Sequence, residues 1–309
     1  MFSFVVRRVI SGLGVMLGII TLVFLIGYVM PINPALAIAG RNAPAQVVAS
    51  IRRQLGLDRP LPVQYVDYVW GLLHGNFGVN YGTNEPVGTS LEDNLPYTVE
   101  LVAVSVVGEL LIGVTLGLIA ALKRGRALDG AASVVASIGL TMPSFWLGMI
   151  LLYLLAFRIP IFPLGSVGQA DWVVLPAFSL AFTGAGYYTR MSRSSILAEF
   201  SQDYVRTARA KGVGAGRILF IHVLRNAVRP IVTMAGLDIA TLMGSALVTE
   251  QVFGIPGLGT LAWSAILAND LPVLEGVVII VGGFVVMSTI VVDVVYTLLD
   301  PRISLAAAE

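Results

Sequence analysis

Three carboxylates stand where carboxylates are expensive. Glu109, Asp238 and Asp293 fall inside stretches that are otherwise apolar, and Glu100 and Glu250 lie near the ends of such stretches. Placing a charge at the centre of a bilayer costs about 3 kcal/mol on insertion scales, so an acid there points first to a transport pathway. Asp238 is deepest in its stretch and suits an encounter with a substrate's ammonium group, with Glu109 as the second pathway candidate. The competing role for each is a hydrogen bond that ties two helices together. Hydrolytic chemistry has little to work with. His74 and His222 are the two histidines and lie in separate polar segments, and neither GxSxG nor HExxH occurs. His222 reads as structural. The sequence has no Cys, which excludes a disulfide framework, a thiol nucleophile and thiolate metal sites. The two lysines, Lys123 and Lys211, do not complete a GxxxxGK[ST] phosphate loop, so the chain cannot bind ATP in that way.

A second constellation is basic. From Glu199 to Pro230 the chain reads EFSQDYVRTARAKGVGAGRILFIHVLRNAVRP. Arg206, Arg209, Lys211, Arg217, Arg225 and Arg229 lie in it and Arg190 and Arg193 just before it, against the acids Glu199 and Asp203. Asp203 as N-cap and Gly212 as C′ residue predict a short helix between them. It is about nine residues long, roughly 13 Å at the usual rise. Such a helix is marginal unless something packs on it. It presents Thr207, Ala208 and Ala210 among basic neighbours and has no broad apolar stripe. Two readings stay open here: a basic cytosolic loop that obeys membrane topology, or a docking element for a soluble partner.

The elements that position these residues are membrane spans. Of 309 residues 57% are hydrophobic and 12% charged, about half the charge of a soluble domain. The fold class is an all-α polytopic membrane protein, and a net charge of +1 gives no reason to expect nucleic acid. Val9 to Met30, behind Arg7 and Arg8, is long enough to cross a bilayer. It is too long for a secretory signal despite the cleavage-like Ala35-Leu36-Ala37, so residues 1–30 form a retained anchor. Gly14 and Gly18 make a GxxxG pair that can seat another helix. Residues 31–95 hold Pro31, Pro34, Pro44, Pro60, Pro62 and Pro86 and two helical pieces, near Pro44–Leu57 and Val63–Phe77. They read as an extracytoplasmic insertion between the first two spans. Five further spans follow at 96–122, 131–157, 173–190, 229–250 and 276–298, with a cytosolic loop at 191–228 and a cytosolic tail at 300–309. Of the 19 Lys and Arg, this arrangement leaves outside only Arg41, Arg52, Arg53, Arg59 and Arg158, which puts both termini in the cytosol. Pro143 and Pro176 fall inside spans and predict kinks. VFGIPGLGTL (252–261), with Phe253, Pro256, Gly257 and Gly259, is too broken for a helix interior and predicts a turn at, or a dip into, the outer face.

QDYVRTARAKG, followed by HVLRNAVRP, resembles the conserved cytosolic loop in the permeases of bacterial ABC importers. The general motif is Glu-Ala-Ala, three residues, Gly, nine residues, then Ile-x-Leu-Pro. Its positions are filled here by Arg206-Thr207-Ala208, Gly212 and His222-Val223-Leu224-Arg225. The acid, one alanine, the Ile and the Pro are thus absent, a departure tolerated in the dipeptide/oligopeptide branch. DNLPYTVEL (93–101), MPSFWLG (142–148), VFGIPGLG (252–259) and LDPRI (299–303) extend the resemblance over nearly the whole chain from Asp93. It implies a type I importer permease fold of six transmembrane helices in the bacterial inner membrane, forming half of a pathway for di- and oligopeptides. It implies that Gln202, Asp203, Tyr204, Val205, Arg206, Thr207, Ala208, Arg209, Ala210, Lys211 and Gly212 couple to an ATPase. The implied partners are a second homologous permease, two ATP-binding subunits, an extracytoplasmic solute-binding protein and membrane lipid. The chain itself would carry no cofactor, with ATP and Mg²⁺ on the partner subunits, and would not be an enzyme. A nickel chelate, glutathione or haem is an alternative cargo for the same machine. An ion-coupled secondary transporter is the alternative of another class.

Overall fold

The computed structural model describes residues 2–29, 33–40, 43–163 and 171–299. The tail 300–309, most of LDPRI and Met30 of the anchor lie outside the described residues. Within them the chain is helical: α1 (Phe2–Val29), α2 (Pro34–Ala39), α3 (Ala45–Gln54), α4 (Leu61–Leu73), α5 (Val87–Leu122), α6 (Ala127–Thr141) and α7 (Ser144–Leu151, continued as a π-helix to Arg158). Then come α8 (Val174–Phe200), α9 (Asp203–Ala210), α10 (Ala215–Arg217, continued as a π-helix to Val223), α11 (Leu224–Phe253), α12 (Leu258–Ala268) and α13 (Leu271–Leu299). An all-helical answer is what lipid demands, because a helix satisfies its backbone hydrogen bonds within itself.

Among the described residues four stretches are long and apolar enough to cross a membrane: Val5–Val29, Val87–Leu122, Ala215–Phe253 and Leu271–Val294. α6 with α7 makes a fifth if the pair, bent by 103°, is one span. α8 is long enough at 27 residues but less apolar, and the reason is its position. It packs against α6, α7 and α11 and buries residues along most of its length, including Tyr188, Thr189 and Ser192. A helix surrounded by helices has no need of a lipid-like surface. Five of the six expected spans thus fall on α1, α5, α6–α7, α11 and α13, and the sixth falls on α8, which is not apolar enough to count as a span by composition.

Their boundaries differ from the expected ones in one direction. α5 begins at Val87 rather than 96, α8 runs on to Phe200 rather than 190, and α13 begins at Leu271 rather than 276. Helix also runs back from α11 to Ala215, so the expected loop 191–228 contracts to Ser201–Gly214 around α9. Hydropathy marks where lipid ends, whereas the hydrogen-bond ladder continues into the polar zone. Pro143 does more than kink its span: it stands at the N-cap of α7, where the chain breaks between α6 and α7. Pro176 falls in the first turn of α8, where its missing N–H is no loss.

The chain divides into two compact units. The first holds Val99–Ile255 and the C-terminal segment from Ser288. There, α8 approaches its neighbours at backbone distance. A Cβ on Gly139 of α6 would stand 2.6 Å from the Phe182 carbonyl oxygen of α8, and one on Gly117 of α5 would stand 2.6 Å from Ser192 Cβ. Small residues that let helices meet this closely are how helices associate where no hydrophobic force drives them.

The second unit holds Val5–Thr98 and Pro256–Met287. Its core joins Val87 and Leu91 of α5, Leu258 and Ala265 of α12, and Val273 and Val277 of α13. The two expected pieces of the insertion are α3 and α4, while residues 87–95 belong to α5. α4 lies on the end of α1: the Phe24 ring is 5.3 Å from that of Tyr65 and 5.5 Å from that of Tyr68, and Thr21 Oγ1 meets Tyr65 Oη at 2.7 Å. Asp270 caps α13, accepting from the Val273 amide at 3.4 Å, and holds the insertion by accepting from the Tyr81 amide at 3.0 Å. Burial raises the Asp270 carboxyl above its usual range, and these two amides pull it back. Gly14 and Gly18 meet nothing within 4 Å among the described residues, so this pair seats no described part of the chain.

Candidate functional site

The basic segment folds around one apolar anchor. Val205 of α9 is fully buried, in a cluster with Ala121, Ile196, Ile218, Leu219, Val223 and Ala227. In place of a broad apolar stripe, one valine suffices because α8 and the π-helix before α11 supply the other side. Ala208 is half-buried against the same cluster. It belongs to the seat rather than to the outward face, which consists of Asp203, Arg206, Thr207 and Ala210. A polar clamp sits beside the anchor. Tyr204 Oη donates to the Glu199 carboxylate at the end of α8 and accepts from Asn226 Nδ2 of α11 at 3.1 Å. Asn226 Nδ2 also donates to the His222 carbonyl at 3.1 Å. The guanidinium of Arg209 stands 5.9 Å from the Phe200 ring.

Both ends of α9 follow from backbone chemistry. The N-cap is Gln202, extended and without a side-chain cap, so Asp203 is the first helical residue and not the cap expected of it. There it still favours the positive end of the helix dipole. Its pairing with Arg206 at 3.7 Å joins two side chains more than 80% exposed and contributes little. Gly212 follows the C-cap Lys211 at φ +76, the left-handed conformation that glycine adopts without strain.

The other expected site comes together as a buried carboxyl pair. Glu109 of α5 is 2% exposed and lies against Asp238 of α11, and Tyr188 of α8 donates from Oη to Asp238 Oδ2 at 3.0 Å. Gly184 of α8 lies directly against the Glu109 carboxyl, and any side chain there would displace it. The two acids are not equivalent in exposure: Asp238 is half-buried, whereas Glu109 is buried. Asp293, the third intramembrane acid, is half-buried on α13. No group of three His, Asp or Glu able to hold a metal occurs among the described residues.

The glycine-rich outer segment is more regular than its sequence suggests. Gly254, left-handed at φ +64, ends α11, and α12 starts at once from Gly257. α12 has 11 residues, about 16 Å, too short to cross a bilayer. Phe253 is buried, and a Cβ on Gly148 of α7 would stand 2.8 Å from its ring. Pro256 is exposed, while Gly257 and Gly259 are buried beside Leu258, whose amide donates to Thr98 Oγ1 at 2.8 Å.

An ion pair outside the expected sites holds α6 to α8. Arg193 donates from Nε and Nη2 to the two Asp129 oxygens at 2.7 and 2.9 Å, and the Gly125 amide donates to the same carboxylate at 2.9 Å. Arg193 counts in the sequence only as one more basic residue of its segment. Its partner lies in a different helix, and no local spacing connects them.

The sequence pattern described as "Binding-protein-dependent transport system inner membrane component" matches residues 113–305, and its N-terminal counterpart matches residues 1–102. The chain is 37% identical over 308 residues to a probable peptide ABC transporter permease protein of Sinorhizobium fredii, covering 97% of this chain and 98% of that one. It is 36% identical over 311 residues to a putative peptide transport system permease protein of Brucella abortus, covering 98% and 99%. It is 37% identical over 305 residues to a glutathione transport system permease protein of Salmonella choleraesuis, covering 98% and 99%. Among solved structures it resembles the methionine ABC transporter MetNI in an inward-facing conformation, with a TM-score of 0.58 at 18% identity over 68% of this chain and 96% of that one. A crystal structure of an amino acid ABC transporter aligns with a TM-score of 0.51 at 16% identity, over 69% and 94%. These two likenesses are of fold.

Proposed function

The chain belongs to the family of binding-protein-dependent transport system inner membrane components, and on that premise we propose that it forms one half of the pathway of an ATP-driven importer of di- and oligopeptides. A second, homologous permease completes the pathway. ATP is hydrolysed by two partner subunits, in keeping with the missing phosphate loop, and a solute-binding protein delivers the peptide from outside.

The observation that carries this reading is the mounting of α9. A free cytosolic loop has no reason to bury a valine completely or to clamp a tyrosine between α8 and α11. With Val205 and Tyr204 holding it, α9 presents Asp203, Arg206, Thr207 and Ala210 outward as a rigid knob. A force on that knob passes into α8 and α11, the helices that carry Tyr188 and Asp238. The ATPase thereby moves the residues that meet the peptide, with Asp238 receiving its ammonium group. The ion-coupled alternative gives α9 nothing to hold. Co-purification of the tagged chain with its ATP-binding subunits tests the reading. Retention of both subunits by the wild type is expected, and their absence overturns it.

A second cargo rests on a specific likeness. The glutathione permease relative is as similar as the peptide ones, and glutathione is itself a tripeptide. Competition between labelled Ala-Ala and glutathione for uptake separates the two: unlabelled glutathione displaces Ala-Ala only if it shares the path.

A further inference from the structure

We propose that the second unit contains a binding site for a small primary ammonium, built around Glu275 between the end of α1, α2, α4 and the start of α13. A cavity of about 320 Å³ opens there, lined by Phe24, Ile38, Tyr68, Tyr81 and Glu275 among others, at the lower end of small-molecule sites. Two carboxylates reach its wall. Asp67 is already neutralised by Arg59 at 2.8 Å. Glu275 is half-buried, and no Lys, Arg or His pairs with it among the described residues. Gly27 of α1 lies directly against its carboxylate, so the helix surface is cut away where that group sits.

Tyr68 supplies the second polar contact. Its hydroxyl is out of water and lies within hydrogen-bonding reach of the Glu275 carboxyl, short of well-formed geometry, which leaves its oxygen lone pairs open to a donor. Burial, with Glu275 adding to it, raises the phenols of Tyr68 and Tyr81 well above their usual range, so both stay neutral. A carboxyl group without a cationic partner among the described residues and the phenol beside it thus share one cavity.

An ammonium group answers both. Its three N–H donors can serve Glu275 and the Tyr68 oxygen together, and the rings of Phe24, Tyr68 and Tyr81 favour a cation over their faces. Other ligand classes fit worse. Ca²⁺ takes six to eight oxygen ligands and Mg²⁺ an octahedral set, whereas this wall offers one free carboxylate among aromatic rings. An anion would be repelled. The occupant is therefore a primary ammonium on a compact apolar body. The site does not rest on the peptide-import reading, because a bare amine suffices to probe it.

The experiment uses the complete transporter in lipid nanodiscs and follows 4-fluorophenethylammonium by ¹⁹F NMR, with the neutral N-acetyl derivative as control. Saturable binding of the ammonium is expected, with the acetylated probe at least about tenfold weaker, the size of one charge-assisted hydrogen bond. Glu275→Gln should weaken the ammonium by about the same factor, and Ile38→Trp, which fills the cavity without touching the charge, should abolish binding. Equal affinity for the two probes, no saturable binding to the wild type, or unchanged affinity in Glu275→Gln overturns the proposal. If Glu275→Gln fails to assemble, Ile38→Trp decides: binding that survives a filled cavity lies elsewhere and refutes the site. Uptake of Ala-Ala, measured on the same nanodisc preparation after transfer to liposomes, reports separately on the import reading.

Discussion

At the scale of single residues, the buried carboxyl pair separates two roles that an acidic residue in a membrane can take. Asp238 is half-buried and Glu109 is buried, though they touch. Asp238→Asn keeps the shape and the Tyr188 contact but removes the charge that would face an ammonium, so uptake of a free peptide should fall about tenfold or more. Glu109→Gln keeps a hydrogen-bonding group behind Asp238 and should leave most uptake intact. Proteoliposome uptake of labelled dipeptide checks both, and equal losses in the two variants would place Glu109 in the path as well. Both acids were legible in the sequence because a carboxylate in an apolar stretch stands out. Tyr188 and Gly184 were not, since a tyrosine and a glycine in a helix are unremarkable until α5 and α11 are brought against them. Asp129 and Arg193 were hidden for the same reason, each passing for ordinary loop charge.

At the scale of an element, α9 shows what a short helix needs. Its end was legible, because Gly212 is the glycine that a left-handed C′ position asks for. Its start was placed one residue late, because an acid is favoured both as N-cap and in the first turn, and composition cannot tell these apart. The anchor Val205 was missed, since one valine is not a stripe; its burial depends on Ile196 and Ile218, residues of other elements. Val205→Asp would bury an unpaired charge, at a cost of several kcal/mol, and should release α9 and its ATPase partners while the chain still inserts. Ala210→Glu, on the outward face, should lose the partners with α9 still seated. Limited proteolysis at Arg206 and Arg209 distinguishes them: rapid cleavage in the first variant, wild-type protection in the second. Gly212→Val meets no neighbour within 4 Å, so its penalty is confined to the backbone, about 1–2 kcal/mol for a side chain in the left-handed region. A lower transport rate with unchanged subunit composition is expected, and full activity would mean that the turn can relax.

At the scale of the whole chain, the insertion after α1 is what a minimal permease lacks. Loops of this length in compact proteins are usually functional or disordered, and here the segment is folded: α4 packs on Phe24 while Asp270 holds Tyr81. Removing all of it would strip these contacts from α1 and α13 and so confuse loss of a partner with loss of fold. α3 offers a cleaner cut, because none of its residues is buried. It carries Arg52 and Arg53 in its last turn, packs against α2, and meets the following loop through local backbone bonds and through Arg52 and Asp58 at 2.7 Å, an exposed pair that contributes little. If the insertion receives the solute-binding protein, the exposed side of α3 away from α2 is a surface that can meet it. Replacing Ala45–Gln54 with a Gly/Ser linker of equal length should therefore leave basal ATP hydrolysis by the assembled transporter unchanged. Stimulation by the peptide-loaded binding protein should drop several-fold. ATPase assays on the two nanodisc preparations, titrated with binding protein, make the comparison. An unchanged stimulation curve would remove α3 from the contact, whereas a fall in basal hydrolysis would show that α3 supports the fold after all.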